Sequence, residues 1–367
     1  MAKFLDLNYY FIDTKNVEHI LTKHNANLGY LEYLPKNLEV SIFNRTRVNK
    51  QFLLNRIDYI FYKKKAFNLF DILFGYHKLV KKHNPDYILI HGLHYGLYSF
   101  FLKNILQKKT IIMVQIHGYA PAPKGLKKIL YGWANKYIDG YFFTGKNNAR
   151  DWVNNKIFEY NKVFEIMEGS TNFKYNPKKT KTNQSFIWVG RLDKNKDPLT
   201  ILKAFKKFLN YSPNAKLTMI YNTYELLNEV KVMLNAIKEL QEAVTLLGKT
   251  DHDKLEVLYN NHQYFILGSH YEGSGYALAE AMMCRCIPII TKIPSYSYMT
   301  NNGECALLFT PGNNKELFAA LKMTLTLDVE IMELKIAQLF DERLSFRAIA
   351  NNIYETFEGL SKKKNHK

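Results

Sequence analysis

The sequence predicts an α/β protein made of two doubly wound domains. Three observations carry this: a length of 367 residues, short β-branched and aromatic runs alternating with helix-period segments, and that alternation occurring twice in tandem. A chain this long exceeds one ordinary core and suits two domains of about 150–200 residues. Strands alternating with helices signal parallel sheets covered by helices.

In the first half the strand candidates are residues 3–11, 38–43, 87–91, 110–115 and 140–143. Pro85-Asp86 is a turn feeding the apolar run Tyr87-Ile88-Leu89-Ile90. Ile111-Ile112-Met113-Val114 reads as a strand buried on both faces. In the second half, strands are expected at 185–189, 216–221, 244–247, 264–267 and 287–290. Helices are expected between them at 198–209, 224–237, 252–260, 276–283 and 315–325. The polar stretch 175–181 marks the boundary. The expected division is 1–175, 176–345, and an amphipathic helix with a basic tail at 346–367. That last helix is expected to pack back on the first domain, with the tail from Ser361 disordered.

Apolar residues make up 47% and charged residues 23%, as in globular proteins. The most apolar long stretch, 87–106, is interrupted by His91, Gly92, His94, Gly96 and Lys103. It fails as a spanning helix, which needs about 20 mostly apolar residues. The opening MAKFLDLNYY lacks a signal-peptide pattern. Three cysteines cannot form a disulfide framework, and Cys284-x-Cys286 has too few neighbours for zinc, so small buried residues are expected. The expected location is cytoplasmic, with room for peripheral attachment to the inner face of a membrane.

The net charge of +18 is uneven, since residues 1–180 hold 28 Lys/Arg against 13 Asp/Glu. A merely solvated surface is the plain reading. The functional one is attraction of the first domain to an anionic membrane surface or a pyrophosphate-linked lipid. No nucleic-acid-binding module is recognisable, and nucleic acid is not an expected partner.

The strongest chemical signal is Glu272-Gly273-Ser274-Gly275-Tyr276-Ala277-Leu278-Ala279-Glu280, following a strand and opening a helix. Glycines there expose backbone N–H groups where the helix dipole is positive, which suits a diphosphate. Carboxylates at Glu272 and Glu280 can accept hydrogen bonds from sugar and ribose hydroxyls. Upstream, Phe186 to Pro198 reads as strand, glycine turn at Gly190, cations, then a helix opened by Pro198. Arg191 and Lys196 would bracket phosphate oxygens and stabilise a leaving diphosphate. Asp251-His252-Asp253 fits a metal-binding pattern of another fold, but it precedes a helical run and reads as an N-cap.

Together these residues resemble the retaining family-4 glycosyltransferases of the GT-B fold. The resemblance rests on Gly190-Arg191-Leu192 with Lys196, the Glu272-x7-Glu280 motif, Pro288-Ile289-Ile290-Thr291, the 303–309 segment with Pro311-Gly312, and the closing 344–350 run. It implies two Rossmann-like domains facing across a cleft, and a metal-independent hexosyl transfer from a UDP- or GDP-linked sugar to a glycan or lipid-linked acceptor. No separate cofactor is implied. By this resemblance Arg191 and Lys196 hold the donor diphosphate, with backbone around Gly190, Ser274, Gly275, Tyr276 and Ala277. Glu280 holds the ribose, Lys249 lies near the base, and Glu272 and His117 face the reacting sugar. His91 and His94 have a placement like that of His117 one strand earlier. The family's N-terminal glycine loop is poorly matched, with only 25–29 available and Gly29 as its glycine. Sugar-nucleotide 2-epimerases and non-catalytic sugar-nucleotide-binding subunits remain the alternatives.

Overall fold

The structure, a computed structural model, describes residues 1–18, 20, 25–65, 68–116 and 121–365. The chain forms two compact units: Met1–Gly169 with Phe346–Lys367, and Ser170–Ser345.

The first unit contains β1 (Ala2–Phe11), β2 (Leu38–Thr46), β3 (Lys50–Leu54), β4 (Ile57–Lys63), β5 (Tyr87–His91), β6 (Ile111–Gln115), β7 (Gly140–Phe143) and β8 (Val163–Glu165). Their order is β3-β4-β2-β1-β5-β6-β7-β8, parallel except for the antiparallel edge strand β3. Sequence reading missed the β3–β4 hairpin. Its tight turn uses Asn55 and Arg56, both at positive φ, and β3 is largely exposed, so it lacks the apolar run that reveals a buried strand. β8 is too short to carry a pattern.

One face of this sheet packs Leu5, Leu7, Ile88, Ile90, Ile112 and Val114 beneath the helices of 71–105 and 150–154. On the other lies the helix Phe346–Asn365. Its stripe Phe346, Ile349, Ala350, Ile353 and Phe357 is buried, at the spacing of one helix face. The Phe357 ring meets Phe4 at 5.6 Å and Tyr87 at 5.3 Å. Where a disordered tail was expected from Ser361, residues 361–365 continue the helix, and Lys364 donates to the Thr110 carbonyl at 3.1 Å. A buried ion pair, Arg45 with Asp71 at 3.1 Å, ties β2 to the helical segment after β4. Tyr62 donates to Asp71, and Arg45 donates to the Tyr9 carbonyl.

The second unit contains β9 (Thr182–Gly190), β10 (Lys216–Tyr221), β11 (Val244–Gly248), β12 (His262–Leu267), β13 (Ile287–Thr291) and β14 (Leu307–Phe309), all parallel. Their order, β11-β10-β9-β12-β13-β14, is the Rossmann order, and it reverses between β9 and β12. The first unit has the same pattern, reversing between β1 and β5. The helices Pro198–Leu209 and Tyr276–Met283 have the bounds read from sequence. The first is fixed by Pro198 at its opening turn and by Asp197, whose side chain accepts from Thr200 N at 3.2 Å. The helix expected from 224 starts at Leu227, because Leu226 N is bonded to the Leu192 carbonyl. All three cysteines are free and buried.

Replacing Phe357 with Ala empties a fully buried site at the centre of the helix-to-sheet contact. It is expected to lower the stability of the first unit by about 3–5 kcal/mol. Urea unfolding followed by circular dichroism checks this, and an unchanged midpoint would place the helix outside that core.

Candidate functional site

At a strand-order reversal the two loops beyond the carboxyl ends lie side by side, and no crossover helix covers them. In the second unit these loops are 190–197, after β9, and 268–275, after β12. Asn195 joins them: its side chain donates to the Tyr271 carbonyl at 3.1 Å and accepts from Tyr271 N at 3.1 Å, while its carbonyl takes His270 N at 2.8 Å. Gly268 permits the approach, since a Cβ there would sit 3.3 Å from the carbonyl oxygens of Lys196 and Asp197.

Between the loops, Lys196 pairs with Glu272, each side chain only 13% exposed. Ser269 donates to the same Oε1 of Glu272 at 2.7 Å. Beneath them Tyr296 is buried, and burial first, then the Glu272 charge, pushes its phenol well above the usual value. Gly275 precedes the helix Tyr276–Met283 at φ +61°, and a Cβ there would strike Met299 Sδ at 2.8 Å. Glycine is therefore required twice over, by backbone and by space. The first N–H groups of that helix have no carbonyl of their own helix to bond, and they carry its positive dipole end.

One turn into the helix, Glu280 Oε1 lies 2.8 Å from His252 Nε2, and Tyr259 donates to Oε2 at 3.4 Å. Asp251 occupies the N-cap position of the helix His252–Asn261, but its side chain makes no capping bond. It pairs instead with Lys254 at 3.2 Å. Sequence reading passed over His252 as the middle of that motif. The structure makes it the partner of Glu280.

The other candidates fall differently. Arg191 is over half exposed and pairs with Asp193 of its own loop at 3.1 Å. Gly190 ends β9, with Lys196 Cγ 3.4 Å from where a Cβ would be. Ser274, Gly275, Tyr276 and Ala277 form the entry to the helix. Lys249 is exposed after β11, at the sheet edge. His117 lies outside the described residues. Gly29 opens a short 3-10 turn, and a Cβ on it would lie 2.6 Å from the Phe346 ring. Among the described residues no group of three or more His, Cys, Asp or Glu is placed to hold a metal ion.

The reversal in the first unit carries a second site, of which the sequence pointed to His91 and His94 but not to the groups around them. A cavity of about 460 Å³ is lined by Asn8, Asn27, Asn44, His91, His94 and Tyr95 together with apolar side chains. Beside it Asp6, fully buried, accepts from Tyr30 at 2.6 Å and Asn8 at 2.7 Å and lies 2.8 Å from His91 Nε2. Burial alone would raise the Asp6 carboxyl, but the His91 charge and these three hydrogen bonds outweigh it and hold it below the usual value. The buried Asn44 Nδ2 has no hydrogen-bond partner among the described residues. It is a donor ready for a ligand.

The Glu280 hydrogen bond raises the His252 pKa above 6.5. A raised pKa means that the pairing stabilises the fold fully below pH 6.5 and fades as pH rises through the raised value. NMR titration of the His252 imidazole should show this elevation, and Glu280→Gln should lower the midpoint. An unmoved midpoint would dissolve the pair.

Residues 170–337 match the family model Glycosyl transferases group 1. A GDP-mannose:cellobiosyl-diphosphopolyprenol alpha-mannosyltransferase of Xanthomonas oryzae pv. oryzae (strain PXO99A) is 28% identical over 117 residues, 32% of this chain and 31% of that protein. The chain thus spans about a third of the length of the first curated relatives it matches, 31% and 32%. Among solved structures, a glycosyltransferase from Rickettsia africae ESF-5 superposes with a TM-score of 0.72 at 15% identity, covering 98% of this chain and 99% of that one. HepE of Anabaena, in complex with UDP, gives 0.72 at 14% identity, covering 98% and 100%. The two parallel sheets are those of the GT-B glycosyltransferase fold, and residues 170–337 are similar to the Glycosyl transferases group 1 family.

Proposed function

We propose that the chain is a retaining glycosyltransferase, of the family-4 kind, that moves a hexose-type sugar from a nucleotide diphosphate to a hydroxyl of a glycan or lipid-linked acceptor. The observation that carries this reading is the Lys196–Glu272 pair, held between two loops at a strand-order reversal and next to a helix amino end. Lys196 and that helix end would take the diphosphate, with the exposed Arg191 closing on it from its own loop. Glu272 would then turn from Lys196 to the donor sugar. Glu280, with lone pairs left after His252 and Tyr259, suits the ribose diol. A UDP or GDP donor is supported by the UDP complex among the structural relatives and by the GDP-mannose in the curated relative's name.

The bond between the sugar's anomeric carbon and the phosphate oxygen breaks, and the electron pair leaves with the diphosphate. Two cations and a helix dipole stabilise that charge, so no metal or further cofactor is required by this reading. The acceptor oxygen bonds to the anomeric carbon on the face just vacated. Its proton passes to the departing phosphate oxygen, which needs no covalent nucleophile and retains configuration. The cavity of the first unit, with Asn44 and the Asp6–His91 pair, suits a hydroxyl-bearing acceptor.

Arg191→Ala and Glu272→Ala are each expected to lower kcat/KM by roughly a hundredfold or more. Glu272→Gln serves as the isosteric companion, because truncation strands Lys196 without its partner. Near-normal turnover in these variants, measured with a donor and acceptor panel, would remove the site assignment. Incubation with donor alone separates an epimerase, which would change the sugar, from a transferase.

A further inference from the structure

The helix Gly125–Ala134 is amphipathic the wrong way round for a core helix. Leu126, Ile129, Leu130 and Trp133 stand at the spacing of one helix face and are 81%, 67%, 51% and 37% exposed. Only Ala134 is buried, and Tyr131 leans inward on Trp152 at 5.5 Å. Lys124 and Lys127 are exposed on the same turns. A second segment repeats the pattern: Leu69, Phe70 and Phe74 are 51%, 65% and 70% exposed, with Phe70 stacked on Phe74. Lys78, Lys81 and Lys82 follow, all exposed.

Both segments belong to one side of the first unit. Ile72, Tyr76, Leu93, Leu102 and Trp152 share one core cluster with the same sheet face. The helices between them are in lateral contact, His77 against Tyr98 at 6.0 Å and Phe100 against Trp133 at 4.7 Å. The outward surfaces of both segments therefore look away from the sheet in one direction. The charge on this stretch has one sign. Residues 59–138 hold thirteen lysines and two acids, Asp71 and Asp86. Asp71 is buried beneath Arg45, and Asp86 pairs with Lys109.

We propose that this face docks on an anionic lipid bilayer, with the 125–134 helix and the Phe70–Phe74 pair inserted at the headgroup level and the lysines on acidic headgroups. Apolar side chains projecting between lysines on a surface helix are the composition that lies in a membrane interface, and Trp is favoured there. Among the described residues no helix is long and apolar enough to cross a membrane, so the contact is lateral. The inference is independent of the donor-site reading.

The test is flotation of the full chain with vesicles of phosphatidylglycerol mixed with phosphatidylcholine, against phosphatidylcholine alone. The chain should float with the anionic vesicles and be released by salt. Its emission should shift to the blue, and that shift belongs to Trp133, because Trp152 and Trp188 are 3% and 0% exposed. Leu126→Glu with Leu130→Glu should abolish flotation without altering circular dichroism. Lys124→Ala with Lys127→Ala should weaken it about thirtyfold. The proposal is overturned if the wild-type chain ignores anionic vesicles or if the double glutamate variant floats equally well. It is also overturned if the face instead holds a second copy, seen as a concentration-dependent dimer that the glutamates dissociate and vesicles do not compete with.

Discussion

A parallel sheet that reverses its strand order must leave two loop ends adjacent and uncovered. Everything chemical in the second unit follows from that constraint. Lys196 and Glu272 are 76 residues apart in the chain, yet they meet because β9 and β12 are neighbours at the reversal. The pair is mostly shielded from water, where a charge interaction at 4 Å is worth up to about 4 kcal/mol. Exposed pairs such as Lys238 with Glu242 lie in the range of about 0–1 kcal/mol. Leaving either partner alone in that setting is unfavourable, so the pair holds the loops in register; on the proposed reading an anion would replace the carboxylate. The site is thus ordered by the same charges that would bind.

The parts of this architecture that were legible in the sequence are those that water cannot reach on either side. Strands such as Ile111–Gln115 are buried throughout and announce themselves as continuous apolar runs. The helices Pro198–Leu209 and Tyr276–Met283 carry their own punctuation, a proline at the first turn and a glycine before it. By contrast, the exposed strand Lys50–Leu54 has no run to read, and the three-residue strands have no length to show a period.

Polar pairings were the hidden part. Asp6 and His91 are 85 residues apart, and nothing in their spacing says that adjacent strands will join them. His252 sat inside a motif whose flanking acids drew attention to metal and capping, while its own partner lay 28 residues ahead. Gly29 belongs to the segment that matched the expected glycine loop poorly, and here the absent side chain makes room for Phe346 on the returning helix. A missing Cβ can serve packing as well as ligand approach, and only the neighbour distinguishes them.

The same topology is used twice with opposite electrostatics. At the reversal in the second unit, Lys196, Arg191 and a helix amino end concentrate positive potential where backbone can approach closely. At the reversal in the first unit no lysine or arginine lines the cavity among the described residues. Its polar groups are amides, two histidines and tyrosines, with the buried Asp6 beside them, set among isoleucines and leucines. Among the described residues the lining offers a diphosphate no lysine or arginine, whereas a ligand rich in hydroxyls would meet amide, imidazole and phenol groups there. On the proposed reading, one fold would separate a charged ligand from an uncharged one simply by which side chains stand at the two strand ends.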